Sequence, residues 1–424
     1  MNERIAHDPY QALRFRDFRR LLSGNVVSSI GGQMMSLAVG WEMYERTNSA
    51  FALGMIGLVQ LLPVILLALV TGHVADRYNR RTIIVFSKVV LIGAALGLAG
   101  LSYTQGPLVA IYGCLLIQGI SGAFLGPASS GLSAQVLPEE AYENSATWST
   151  TFMTTSSVIG PAMGGLIIAT VGHATVVYLI NAGAATICLV LLLSIHGKYA
   201  SVHGSENSHE EPSIRFLLEG IAFLRRSPMI FSAITLDLFA VLFGGATTLL
   251  PIFAKDILHV GPSGLGWLQA ASPLGAAAVA LYLTHRPPLQ RAGPTLLAVV
   301  AGFGVATILF GVSTSFWFSF LMLATLGGLD SVSMVIRDVL VLTRTPHAMR
   351  GRVAAIEGLF VNSSNQLGGF ESGVAAQLLG TVPSVIFGGI GTILVVAIIG
   401  TFWPDLRRLT TLRDPNQSAT ALNG

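Results

Sequence analysis

Apolar residues dominate stretches of about twenty positions along most of this chain, and short polar or glycine- and proline-containing breaks, some of them charged, divide one stretch from the next. A helix needs about 20 mostly apolar residues to cross a hydrocarbon core of about 30 Å, so each stretch is long enough to span on its own. The pattern predicts twelve spans, at 20–43, 52–75, 82–103, 108–135, 143–169, 174–196, 228–254, 263–284, 294–313, 316–341, 349–375 and 383–403. Strands of a membrane barrel would instead show segments of about ten residues with alternating polarity, which these continuous runs lack. The expected fold is an all-α integral membrane protein with twelve transmembrane helices in two pseudo-symmetric six-helix bundles.

The division into halves comes from residues 197–216, "GKYASVHGSENSHEEPSIRF", a long polar stretch near the midpoint. It predicts an N-terminal bundle over 1–196, a linker over 197–216 and a C-terminal bundle over 217–424. Three landmarks recur at nearly one offset, as a parallel repeat requires: Pro63 with Pro273, Arg77 with Arg286, and Pro138 with Pro346.

Composition agrees with lipid as the solvent. Of 424 residues, 52% are hydrophobic and 11% charged, against about a quarter charged in a soluble domain. The 47 glycines fit helices that approach closely in a membrane. Cys114 and Cys188 both fall inside spans, so neither a disulfide framework nor a metal knuckle is indicated. Charge matters by position: 20 of the 24 Lys and Arg residues fall in, or at the span ends bordering, the N-terminal arm, the loops after even-numbered spans and the tail. The positive-inside rule then places both termini in the cytoplasm.

Between the second and third spans stands "GHVADRYNRR", residues 72–81. It resembles the signature of the major facilitator superfamily in the loop that joins helices two and three. The resemblance implies a conformational latch in Gly72, Asp76, Arg77, Arg80 and Arg81. Gly72 would permit tight packing, and Asp76 would accept hydrogen bonds at the start of span eleven, near Met349. Arg77 would pair with a group near the end of span four, where Gln135, Glu139 and Glu140 stand. Asn79 replaces the usual glycine, which a tolerance of left-handed backbone would excuse. The other reading of the cluster is a positive-inside anchor.

"SSVIGPAMGGL" in span five carries Gly160, Pro161, Gly164 and Gly165 and is similar to the antiporter signature of exporters in that superfamily; the alternative is simple helix packing. Gln118 in "QGISGAFLGP" stands where many drug-proton antiporters carry arginine. "WEMYERTNSAFALGMIGLVQLLP" and "MRGRVAAIEGLFVNSSNQLGGFESG" resemble the bacterial branch that holds the enterobactin exporter and macrolide-efflux-like permeases. The resemblance implies export; import, lipid transport and a non-transporting receptor remain alternatives on the same fold.

Acids inside spans are costly and are functional candidates by default. Asp237, Asp330 and Glu357 are the proton-coupling candidates, with a structural pairing to Arg337 as the competing role. Arg337 itself is expected near the cytoplasmic surface, and Lys88 is expected to snorkel. In span one, Asn25, Ser29, Gly32, Gln33 and Ser36 follow helical spacing on one face, and Asn362, Asn365 and Gln366 do so in span eleven. These, with Gln60 and Gln118, are candidates to line a cavity for a bulky amphiphile, and interhelical hydrogen bonding is their other reading. No Gly-x-x-x-x-Gly-Lys-Ser/Thr loop occurs, and no His, Cys and acid cluster forms at ligand spacing. The expectation is a secondary transporter in the bacterial inner membrane, driven by a proton gradient. It would need no cofactor and no metal, catalyse no reaction, bind no nucleic acid and work as a monomer in the bilayer on a small-molecule substrate.

Overall fold

A computed structural model describes residues 8–195, 214–286, 291–346 and 349–409. They form helices and connecting turns with no strand. The first six long helices are α1 (Arg16–Thr47), α2 (Ala50–Arg77), α3 (Arg80–Tyr103), α4 (Leu108–Val136), α5 (Tyr142–Val171) and α6 (Thr175–Leu193). After them come α7 (Ile214–Arg226), α8 (Pro228–Phe243), the single turn α9 (Leu250–Ile252), α10 (Gly261–Thr284) and α11 (Ala292–Gly311). The chain ends with α12 (Phe316–Arg344), α13 (Arg350–Leu379), α14 (Thr381–Phe402) and the short α15 (Pro404–Arg408). The expected crossings are all present, with α8 and the turns up to Ile257 forming the seventh.

Ten of these segments are long and apolar enough to cross a membrane by composition alone. The other two crossings, α1 and α13, are 32 and 30 residues long. Their hydropathy is lowered by amides, hydroxyls and charges, among them the two polar stripes seen in the sequence.

Two features were not read from the sequence. Helix α7 begins at Ile214, inside the expected linker, and its 13 residues are too few to register in a search for runs of span length. It packs Ile221, Phe223 and Leu224 against Val353, Ile356 and Phe360 of α13, and Arg352 Nη1 lies 2.6 Å from Glu219 Oε2. The seventh crossing is also broken: a 3-10 turn over Gly245–Leu249 follows α8, and a π-helical turn over Phe253–Ile257 follows α9.

The chain clusters into two compact units, Met1–Val39 with Leu62–His209, and Gly40–Leu61 with Glu210–Gly424. In the first, Leu21, Ile84, Ala128, Leu132, Leu192 and Ile195 form one apolar cluster. Arg81 of α3 donates to the Leu193 carbonyl at 2.8 Å and Arg20 of α1 to that of Ser194 at 2.6 Å, so two cations cover the negative end of α6. In the second, α10 and α12 come together on glycine. A Cβ on Gly275 would collide with the Ala324 carbonyl, and one on Gly327 with that of Ser272.

Candidate functional site

Three helices of the second unit each bring one charged side chain to a common point. Arg337, seven residues before the end of α12, is 6% exposed. Its guanidinium pairs through Nη1 with Asp237 of α8, and its Nε donates to Oε1 of Glu357 of α13 at 3.0 Å. Asp237 is 7% exposed. Removing such charges from water costs several kcal/mol per ion, and the two carboxylates on one guanidinium offset that cost for the arginine. Arg337 is therefore not a surface group. Because α12 continues to Arg344, Arg337 lies about 10 Å in from that end, at 1.5 Å per residue.

The cluster forms one wall of a cavity of about 440 Å³ that Asp330, Asp338, Asn362 and Asn365 also line. Asp330 stands two helical turns before Arg337 on α12. Its carboxylate makes no ion pair among the described residues, because Arg337 turns to Asp237 and Glu357 instead. Four carboxylates against one guanidinium give this cavity an acidic character. Asn362 and Asn365 each donate to a carbonyl four residues back, Gly358 and Val361, at 2.9 and 2.8 Å. No hydrogen bond to their amide oxygens occurs among the described residues. Gln366 lies outside the lining and packs its Oε1 over Gly57 of α2.

The remaining candidates lie elsewhere. Gln33 donates to Ser157 Oγ of α5 at 3.1 Å. A Cβ on Gly160 would come within 2.5 Å of Gln33 Cβ, and one on Gly164 within 3.1 Å of Met34 Cα. Gly160, Pro161, Gly164 and Gly165 are all buried, so this stretch of α5 seats α1. Gln118 is buried, with its amide 3.5 Å from Met35 Sδ, and Asn25 accepts from the Cys188 thiol at 3.9 Å. Gln60 is half-buried.

In the charged stretch at the end of α2, Gly72 is half-buried and Arg77 exposed, with no ion pair for Arg77 among the described residues. The side chains of Asp76 and Glu139 lie outside those described. Arg80 opens α3, and Arg81 caps α6. Asn79 has φ −60° and accepts from the Arg81 backbone N–H at 2.9 Å. It is an N-cap, and no left-handed backbone is involved.

Lys88 was misread. It is 7% exposed and, instead of reaching toward an interface, donates to Ser28 Oγ of α1 at 2.8 Å. The sequence signal was a lone cation within an apolar span, which has the same appearance whether the side chain turns outward or inward.

Residues 7–416 match the family described as "Transmembrane secretion effector". The MFS-type transporter YfiS of Bacillus subtilis (strain 168) is 26% identical over 406 residues, covering 92% of this chain and 94% of that protein. The enterobactin exporter EntS of Escherichia coli O157:H7 is 27% identical over 414 residues, covering 96% of each. Among solved structures, a bacterial homologue of the iron transporter ferroportin in an inward-facing state superposes with a TM-score of 0.70 at 14% identity. That match covers 93% of this chain and 99% of the other.

Proposed function

The chain belongs to the transmembrane secretion effector family of the major facilitator superfamily, and we propose that it is a proton-coupled exporter of a bulky amphiphilic small molecule. The cargo would be a drug or a siderophore, moved by alternating access. Relatives named as enterobactin exporters align over nearly the whole chain, which supports export as the direction. The observation that carries the coupling is Asp330: it faces a cavity inside a membrane-spanning unit and has no ion-pair partner among the described residues. A carboxyl so placed is available to a proton or to cargo, and an intramembrane acid of this kind marks a transport pathway.

On this reading the halves 1–196 and 217–424, joined by 197–216, move against each other. The Arg337 cluster with Asp237 and Glu357 holds α8, α12 and α13 in register, and Asp330 exchanges the proton. Asp76, Arg77, Arg80 and Arg81 act as a latch, released when the halves move. Gln33, Gln60, Gln118, Asn25, Asn362, Asn365 and Gln366 supply polar contacts to the cargo or to neighbouring helices. Energy comes from the proton gradient, with no cofactor and no chemical step. The protein works as a monomer in the bacterial inner membrane with both termini in the cytoplasm.

The test uses inside-out vesicles containing the protein, with a labelled catecholate siderophore or a lipophilic dye outside and an acidic lumen. Uptake that a protonophore abolishes is the expected result, and the cargo taken up identifies its class. Absence of gradient-dependent uptake across a broad panel of amphiphiles overturns the proposal.

A further inference from the structure

The first unit holds a buried cation that the transport reading does not use. Lys88 sits eight residues into α3, about 12 Å along the helix, within a 24-residue apolar span. Its ammonium has three donors; Ser28 Oγ takes one of them at 2.8 Å, and the Cys188 sulfur is a second neutral partner. No carboxylate forms an ion pair with Lys88 among the described residues, although such pairing is how a membrane-buried charge is ordinarily stabilised. The hydroxyl partner is neutral. Lys88 instead lines a cavity of about 40 Å³ together with Arg20 and Asn25 of α1, Ser129 of α4 and Cys188 of α6. By this measure a water molecule needs about 10–15 Å³, so the cavity has room for an ion of chloride size. Both charged residues at this cavity are cations: Lys88 lies within the membrane, and Arg20, which also reaches Asp17 at 3.6 Å, lies toward the end of α6. Asn25, Ser129 and Cys188 complete the polar part of a lining that also holds leucine and isoleucine side chains.

From this geometry we propose that Lys88 is the centre of a binding site for a compact monovalent anion of chloride size, held between α1, α3, α4 and α6. The anion supplies Lys88 with a counter-charge that no carboxylate among the described residues provides. The ammonium, also held by Ser28, provides the charge, and the Cys188, Asn25 and Ser129 side chains bound the space. An anion there ties four helices of the unit together, so its binding stabilises the fold by mass action. The inference does not depend on the identity or direction of the cargo.

The test measures the melting temperature of the purified full-length protein in detergent at constant ionic strength. Sodium gluconate, sodium sulfate, sodium chloride and sodium bromide are compared for wild type, Lys88→Met and Lys88→Gln. Expected is a saturable rise for wild type in chloride and bromide over gluconate and sulfate, absent in both variants. A rise of equal size in the variants, or no difference between salts in wild type, overturns the proposal. Should neither variant fold, bromide-soaked crystals of wild type decide: an anomalous peak beside Lys88 Nζ supports the site, and its absence with bromide bound elsewhere refutes it.

Discussion

Arg337 on α12 and Glu357 on α13 are twenty residues apart in sequence and joined by a 3.0 Å hydrogen bond from Nε to Oε1. That bond, with the Asp237 pair on the other side of the guanidinium, links three helices of the second unit through one buried cation. Its removal leaves two carboxylates in a site built around a positive charge. Arg337→Met is expected to destabilise the protein by about 3–5 kcal/mol, the usual cost of breaking a buried pair from one side. Replacing Asp237 by Asn in the same protein should recover part of that loss, because residues of one network do not add independently. Chemical or thermal unfolding of the single and double variants measures both effects. A single variant as stable as wild type would remove the cluster from the architecture.

Asp330, unlike Asp237 and Glu357, makes no bond to the Arg337 guanidinium, so its neutralisation should separate coupling from folding. Asp330→Asn is expected to melt within a few degrees of wild type and to lose the dependence of uptake on the gradient. In inside-out vesicles with an acidic lumen, wild-type uptake should rise with the imposed gradient. The variant's uptake should be the same with and without it. Asp237→Asn, by contrast, should lose stability as well as transport. If Asp330→Asn responds to the gradient as wild type does, the proton does not travel by Asp330.

These acids were legible in the sequence because charge inside an apolar run stands out against its surroundings. Their partners were not. Arg337 could be assigned to Asp330 by helical spacing along one helix, yet it turns to α8 and α13, and which helices adjoin is a property of tertiary packing. The same limit governs the polar face of α1: spacing brought Asn25 and Gln33 onto one stripe. The groups they meet, Cys188 on α6 and Ser157 on α5, lie more than 120 residues away. Lys88 failed for a related reason, since a lysine long enough to reach an interface is also long enough to reach Ser28. At the glycines of α5 the sequence left an antiporter signature and simple helix packing open, and the contacts found there are packing against α1.

Those glycines carry a packing prediction. A Cβ at position 160 would stand 2.5 Å from Gln33 Cβ and 3.0 Å from the Ile30 carbonyl oxygen, whereas one at position 93 would meet nothing within 4 Å. Gly160→Ala is therefore expected to lower the melting temperature by several degrees by forcing α1 from α5, and Gly93→Ala to leave it unchanged or slightly raised. Overpacking in a close-packed region costs about 1–3 kcal/mol, while alanine is the better helix former at an open site. Equal melting temperatures for the two variants would mean that α5 yields without cost.

The segment 40–61 holds the end of α1 and the start of α2. It clusters with the second unit although the rest of both helices clusters with the first. Its attachments are specific: the Tyr44 hydroxyl donates to Asp256, Lys255 Nζ donates to Asn48 Oδ1 at 2.9 Å, and Ser49 Oγ donates to Gln377 Oε1 at 3.0 Å. Gly54 and Gly373 allow the backbones of α2 and α13 to meet, since a Cβ on Gly54 would lie 3.1 Å from Gly373 Cα. A transporter that rocks one half against the other must either bend α1 and α2 where they pass between units or release these bonds in every cycle. The hydrogen bonds join side chains and the glycine contact is van der Waals, whereas bending would break the main-chain ladder of two helices, so release is the cheaper course. A disulfide between Asn48→Cys and Lys255→Cys should therefore form readily under oxidation and arrest uptake, and reduction should restore it. Undiminished uptake by the fully cross-linked protein would show that the segment stays attached throughout the cycle and that α1 and α2 bend instead.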